Sequence, residues 1–489
     1  MERRVAQGHS PDRPADRSPD PDTTASSRWV GAGGALGFVL LALFAYSVGD
    51  EGTVRFYNHF VWQALAFLDG RAAIEYPVAG FGDLPGNDFF QDVLPLYAPD
   101  GSATGLGLIP FPPLPAVLLM PFAALWGLRA DSQAIAGVFG AIDVGLAWWV
   151  LGRLPITLVV RATATLFFGF GTVFFYTAEL GTTWYFAHVV AVGFALLAVG
   201  VALGADRDAA TEVSDVPPDR PRGRLRWLAG ELDGRQMLAG VLFGLACTAR
   251  LPIVFAAPFF VLVGGGGSWL GRGASAALGA AIPLTALVGY NLISTGHVFH
   301  PAYEYLYQAE AYGYPSLGYE TDWGIEDPRY IPRNLGIALF STPAFLPDII
   351  PAALGAHTPL CVEGGAARGL FDEDCPIALP RDTGMSILLT SPAFLLAAGV
   401  LARLYGRSRL VTGAAIAVIL VFAVNLMHFS QGWVQFGYRF SNDFVVFALP
   451  LVALGAQRLR DRPLLVGGLV AVSIAINLWG AIWGAKLGW

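Results

Sequence analysis

Carboxylates in two stretches of the chain are placed to do acid–base chemistry or to hold a cation. The sequence Gly49-Asp50-Glu51 follows directly on an apolar run, and Asp83, Asp88 and Asp92 follow in a Gly/Pro-rich stretch. A carboxylate there can take a proton from an attacking hydroxyl. Others could hold a divalent cation, Mg or Mn, that neutralises a phosphate leaving group. The competing reading of each acid is a solvated loop residue. Asp50 and Glu51 stand out because the end of the apolar run fixes their depth. Glu179 lies in the short turn Tyr176-Thr-Ala-Glu-Leu-Gly181, which holds a side chain more firmly than a long loop. It reads equally as functional or structural, and Asp50 with Glu179 is the candidate metal pair. Asp143 sits inside an apolar run and reads as a polar contact between helices.

Two arginines lie apart from the other basic residues. Arg439, in Gln435-Phe-Gly-Tyr-Arg-Phe-Ser-Asn-Asp443, and Arg250, in Thr248-Ala-Arg-Leu-Pro252, both stand at ends of apolar runs. A guanidinium fork suits a phosphate or pyrophosphate oxygen. The alternative is an ion pair with a nearby acid such as Asp443. His297, His300, Tyr303, Glu304, Tyr305 and Tyr307 crowd one stretch, where rings and hydroxyls could hold a sugar or anchor the chain at the membrane interface. The histidine spacing is not a specific metal pattern. Cys361 and Cys375 have thirteen residues between them and could form a disulfide closing a loop, contributing about 3 kcal/mol. Free thiols are the alternative, and Cys247 reads as a buried small hydrophobe.

The elements that must position these residues are membrane helices. Of 489 residues, 55% are apolar and 14% charged. Twelve apolar runs occur, at 29–48, 112–127, 130–151, 157–176, 183–204, 236–250, 251–265, 273–294, 386–405, 410–429, 443–458 and 463–485. A run of roughly 18 residues or more can cross about 30 Å of hydrocarbon. Residues 1–28, rich in Pro, Asp, Arg and Ser, read as a disordered cytoplasmic tail, and 29–489 as one transmembrane domain. The net charge of −7 gives no sign of a nucleic-acid partner.

Arginine placement orders the topology. Basic residues cluster in the tail, at Arg153, in 205–235, at Arg272, at Arg403, Arg407 and Arg409, and at Arg458, Arg460 and Arg462. All of these fall on one side only if the run 112–127 does not cross. That run carries Pro112, Pro113, Pro115 and Pro121, which break helical hydrogen bonds. The expectation is an all-α bundle of about eleven spans in the plasma membrane. The N-terminus would face the cytoplasm, and the C-terminus and the long loops 49–129 and 295–385, with juxtamembrane helices in them, the exoplasm. Within the first loop, Val54–Leu68 could lie in the interface on Phe56, Phe60, Ala64 and Phe67. The pair around Pro252 and the stretch 334–353 leave the helix count open. No repeat or paired broken helices are evident.

The sequence resembles the GT-C glycosyltransferases, and most nearly the bacterial relatives of protein O-mannosyltransferases (glycosyltransferase family 39) and aminoarabinose transferases. The resemblance rests on Asp50-Glu51 after the first helix, Ala66-Phe-Leu-Asp-Gly-Arg71, the Pro-Pro-Leu-Pro-Ala run at 112–116 ending Leu125-Trp-Gly127, Thr248–Pro252, Tyr290-Asn291 with Gly296, and Gly437-Tyr-Arg-Phe440. It spans most of 29–460 through loose motifs. It implies transfer of a sugar from a polyprenyl-phosphate carrier to a glycan, lipid or protein acceptor on the exoplasmic face, with inversion. A first-loop acid would act as base, with a second acid in the next outer turn. Asp50 and Glu179 match those places, and Tyr438 falls in the last motif. In many such enzymes the first-loop acid lies about a dozen residues before the glycine ending the interfacial helix. Here that count reaches Asn58, so either the loop is reshaped or Asp88 or Asp92 takes the base role. Asn58 and Tyr438, beside Tyr303 and Glu304, are candidates to bind the substrate. Two other readings stand beside this one: a secondary transporter or channel, and a non-catalytic assembly subunit, for which Asn58 is the best support.

Overall fold

The computed structural model describes residues 21–48, 57–75, 92–211, 232–313, 320, 322–346, 368–373, 375–432 and 434–488. Asp50, Glu51, Asp83, Asp88, Cys361 and most of the stretch 334–353 beyond its first half lie outside them, as does Phe56. Helices dominate. In chain order they are α1 (Pro21–Ser47), α2 (His59–Leu68), α3 (Leu114–Trp126), α4 (Ser132–Leu151), α5 (Leu158–Phe170), α6 (Phe174–Leu180), α7 (Thr183–Thr211) and α8 (Gly234–Cys247). There follow α9 (Pro258–Leu262), α10 (Trp269–Thr295), α11 (Ala302–Gly313), α12 (Ile331–Phe340), α13 (Ile387–Thr390), α14 (Ala398–Leu404), α15 (Arg409–Met427), α16 (Asn442–Arg458) and α17 (Pro463–Lys486).

Among the described residues, six helices are long and apolar enough to cross a membrane, or seven if the bent pair α5–α6 is one span. The expected count of about eleven included four further segments: α8, Leu251–Leu262 and Pro392–Leu404 are each short here, whereas α1 is 27 residues long and apolar over Gly31–Ser47. Local chemistry explains the breaks. Pro258 and Pro392 stand at starts of helical segments, where a missing N–H costs nothing. The 49° bend between α5 and α6 was not foreseen. It falls at Gly171-Thr172, where the Thr172 hydroxyl donates to the Phe168 carbonyl at 2.8 Å and accepts from the Phe174 N–H at 3.2 Å. α1 begins at Pro21, so the last part of the expected tail is helical.

The Pro-rich run 112–127 forms α3, 13 residues long, which spans about 20 Å at 1.5 Å per residue and is too short to cross. α2 is more buried than an interfacial helix with one apolar face. His59, Phe60, Val61, Gln63, Ala64 and Ala66 are all buried, and Phe67 meets the Tyr290 ring edge-on at 5.8 Å.

The all-α expectation needs one correction. The first long loop carries a three-stranded antiparallel sheet, β1 (Ile74–Glu75), β2 (Leu94–Tyr97) and β3 (Ala103–Leu108), with β3 in the centre. The turn between β2 and β3 is Ala98-Pro-Asp-Gly-Ser102. Asp100 accepts from the Ser102 N–H at 2.9 Å and hydroxyl at 2.6 Å, and Gly101 takes φ +82°. Pro, Asp and Gly each favour such a turn, so the hairpin had a sequence signal. A second, two-stranded sheet pairs β4 (Ala344–Phe345) with β5 (Ala378–Leu379).

The helices pack through small residues. A Cβ at Gly240 of α8 would lie 2.1 Å from the Ala276 carbonyl oxygen, and one at Gly279 of α10 would lie 2.0 Å from that of Met237. Backbones this close exclude any side chain, the usual device where lipid removes the hydrophobic drive between helices. Gly279→Leu is expected to force α8 and α10 apart and cost about 1–3 kcal/mol. Thermal unfolding of the detergent-solubilised variant checks this, and an unchanged melting temperature would contradict it.

Candidate active site

The site is assembled where α7 and α16 begin and where the first long loop returns. α6 ends at Gly181, φ +58°, and a Cβ there would come within 2.6 Å of the Gln133 Cα of α4. The close approach fixes where α7 starts. Thr183 then stitches α7 to α2: its N–H and hydroxyl both donate to the Tyr57 carbonyl, at 3.0 and 2.8 Å, and its hydroxyl accepts from the His59 N–H at 2.9 Å. Trp184 is thereby held with its indole N–H donating to Asp92 Oδ2 at 2.6 Å.

Asp92 is 7% exposed, and its backbone is in the left-handed region, φ 63°, which Asp tolerates better than most residues. Burial pushes its carboxyl up to about 6, against the opposing pull of the Trp184 hydrogen bond and the charge of Arg439. Tyr303 faces the same region. Burial raises its hydroxyl to about 12, with Arg250 acting against that and the charges of Asp92 and Glu326 adding to it. Its ring meets Phe111 edge-on at 6.4 Å.

Two guanidiniums flank one ring. Arg250 lies 5.2 Å and Arg439 5.3 Å from the centroid of Phe440. Their electrostatic states differ. Arg250 is paired with Asp443 in bidentate fashion, at 3.1 and 2.9 Å, as the ion-pair reading allowed. Asp443 is fully buried, also accepts from the Asn425 side chain at 3.2 Å, and has His188 Nδ1 3.1 Å away. Arg439 is half-buried, with no carboxylate within 4.0 Å among the described residues and its Nε lacking a hydrogen-bond partner there. Gly432, φ +89°, makes room for it, since a Cβ there would lie 2.7 Å from the guanidinium carbon. The arrangement can balance an anion on Arg439, whereas Arg250 is already neutralised.

The other expected residues fall as follows. Glu179 is half-buried in the last turn of α6. Asn442, next to Asp443, donates to Thr177 of the same helix at 2.8 Å. Asn58 is the residue before α2, and its side chain accepts from the Trp62 indole at 3.0 Å, which is a structural use. Tyr438 is fully buried between Phe422 and Phe440. Glu304 is exposed and accepts from Gln308 at 3.1 Å. His300 is buried and held neutral, its ring lowered by burial to about 4 while Nδ1 accepts the Ala302 N–H at the start of α11. Tyr307 is buried, and its hydroxyl donates to the carbonyls of Glu320 and Trp323. Cys375 is disulfide-bonded and Cys247 is free and buried. No group of three His, Cys, Asp or Glu that could hold a metal ion occurs among the described residues.

Sequence reasoning did not single out Trp184, His188, Asn425, Glu326 or His428. The last two pair at 2.7 Å and clip the second long loop to the end of α15. His188 and Asn425 lie inside apolar runs, where polar residues are functional candidates by default, so a signal was present. Trp184 carried none, because interfacial tryptophans are common.

No protein-family model and no curated protein matches the chain. Among solved structures, the crystal structure of the Archaeoglobus fulgidus oligosaccharyltransferase in the apo form is similar at 15% identity, with a TM-score of 0.44 over 93% of this chain and 55% of that one. The chain thus spans about half the length of that protein.

Proposed function

We propose that this chain is an inverting glycosyltransferase of the plasma membrane that takes a sugar from a polyprenyl-phosphate-linked donor on the exoplasmic face. The observation that carries the reading is the buried Asp92 carboxyl, raised to about 6, in electrostatic reach of an Arg439 guanidinium that no described carboxylate neutralises. A base whose proton affinity lies near the working pH and a free cation are the two groups that this transfer needs. The acceptor hydroxyl gives its proton to Asp92 as its oxygen bonds to the anomeric carbon. The bond from that carbon to the phosphate oxygen breaks, and the lipid phosphate departs with its charge against Arg439. The acceptor is a glycan, lipid or protein hydroxyl, and the sugar a hexose or pentose. Tyr303 and Glu304 border the place for the sugar.

The donor would enter sideways along α3, whose Leu125, Trp126 and Val117 are 74%, 54% and 45% exposed. In this reading the N-terminus is cytoplasmic and the C-terminus exoplasmic, which puts the long loops on the donor's side. A divalent cation on Asp50 and Glu179 belongs to the proposal only as a partner of the phosphate, and no step is routed through it.

The test replaces Asp50, Glu51, Asp88, Asp92 and Glu179 by Ala in turn and follows sugar transfer from a polyprenyl-phosphate donor. Loss with Asp92→Ala is expected. Transfer that survives Asp92→Ala would remove Asp92 as the base, and transfer that survives all five replacements would sink the scheme.

A further inference from the structure

We propose that Trp184 is the positioning residue for the Asp92 carboxylate, turning one oxygen toward the acceptor and holding the other. The inference rests on the reading of Asp92 as base. The contact between the Trp184 N–H and Asp92 Oδ2, 2.6 Å long, is short for an N–H donor, as hydrogen bonds to carboxylates are. Among the described residues, Oδ1 accepts no hydrogen bond, so it is the oxygen left to receive a proton. The backbone at Asp92 is in a conformation that side chains seldom adopt, so something must compensate for it.

Trp184 is itself rigid. Its ring lies 5.2 Å from Tyr57 and 5.7 Å from His59. His59 is pinned by Thr183 Oγ1 at 2.9 Å from Nδ1 and by the edge of Phe111 at 6.3 Å. Rings at the start of α2 and just before α2 and α3 (His59, Tyr57 and Phe111) therefore set the direction of the indole N–H. Among the described residues, the charged and titratable groups that face Asp92 are Arg439, from the turn before α16, and Tyr303, from α11. Neither hydrogen-bonds to the carboxylate, which leaves its orientation to Trp184.

The hydrogen bond favours the ionised form of Asp92, so removing it must move the acid limb of activity to higher pH. Trp184→Phe keeps a ring for packing and deletes the donor. Its expected effect on transfer from a polyprenyl-phosphate sugar donor is a loss of about tenfold to a hundredfold in kcat, with KM for the donor unchanged and the acid limb moved upward. Trp184→His, which retains a ring N–H, should hold the limb close to its wild-type position. A fall in rate with the limb unmoved in the Phe variant, or the same upward shift in both variants, would overturn the proposal. Asp92→Asn, measured alongside, separates this from the premise. If that variant transfers sugar at the wild-type rate, Asp92 is not the base and the role assigned to Trp184 falls with it. If it is inactive while Trp184→Phe shows the wild-type profile, only the positioning role fails.

Discussion

Asp92→Asn is expected to lower sugar transfer by about 10²–10⁴-fold, the range a positioned general base contributes. Asn keeps an oxygen that can accept the Trp184 N–H, now 2.6 Å from Asp92 Oδ2, and it removes a buried charge. Folding should therefore not suffer, and the loss is assigned to chemistry. The same carboxyl predicts the wild-type pH profile. Burial raises it, so the ionised form that can take a proton is reached only above about 6. The kcat/KM for transfer should fall about tenfold for each pH unit below that point. A steady-state series over pH 4–8, with the protein checked for monodispersity at each pH, measures both effects. Activity that stays flat down to about pH 4 would mean that the base has an ordinary carboxyl.

The second large effect is on stability. Asp443 balances Arg250 and is also held by Asn425, with His188 Nδ1 3.1 Å away and no exposure of its side chain. Asp443→Ala leaves the Arg250 guanidinium, 20% exposed, without its counter-ion, which costs up to about 3 kcal/mol, the low end for a buried pair. Replacing both partners by apolar residues of similar size, as in Arg250→Met with Asp443→Leu, should recover much of that loss, because no stranded charge remains. Thermal unfolding in detergent compares the single and double variants. A double variant no more stable than Asp443→Ala would show that the cost lies in packing around Phe440 and not in the lone charge.

The hydrophobic pattern made the membrane character and the helix positions legible, because length and apolarity decide both. Four proline residues in one run marked α3 as too broken to span, and the helix is 13 residues long. Helix breaks made by hydroxyl back-bonding were not legible. Thr172 bends α5–α6 through two hydrogen bonds that periodicity does not encode. The β2–β3 hairpin had its Pro-Asp-Gly turn in plain view but sat in a loop read as acidic and irregular. Of the site, the arginines were legible because charge at the end of an apolar run is costly. The pairing that separates Arg250 from Arg439 depends on residues 193 positions apart, Arg250 and Asp443, and only the packed fold brings them together. The same holds for Trp184 and Asp92, 92 positions apart. By sequence Asp92 was an alternative to Asp50 and Glu51, whose depth the end of the apolar run fixes. Its burial is what distinguishes it from a solvated loop carboxylate.

The central claim is transfer of a sugar from a lipid-linked donor, and mass spectrometry of the cell-envelope glycans and glycoproteins tests it most directly. Three strains are compared: one with the gene intact, one lacking it, and the deletion carrying Asp92→Asn at normal protein levels. The account predicts that a glycan-bearing species disappears in the deletion, returns with the wild-type gene, and does not return with the Asn variant. An envelope glycan profile that is the same in all three strains would contradict it.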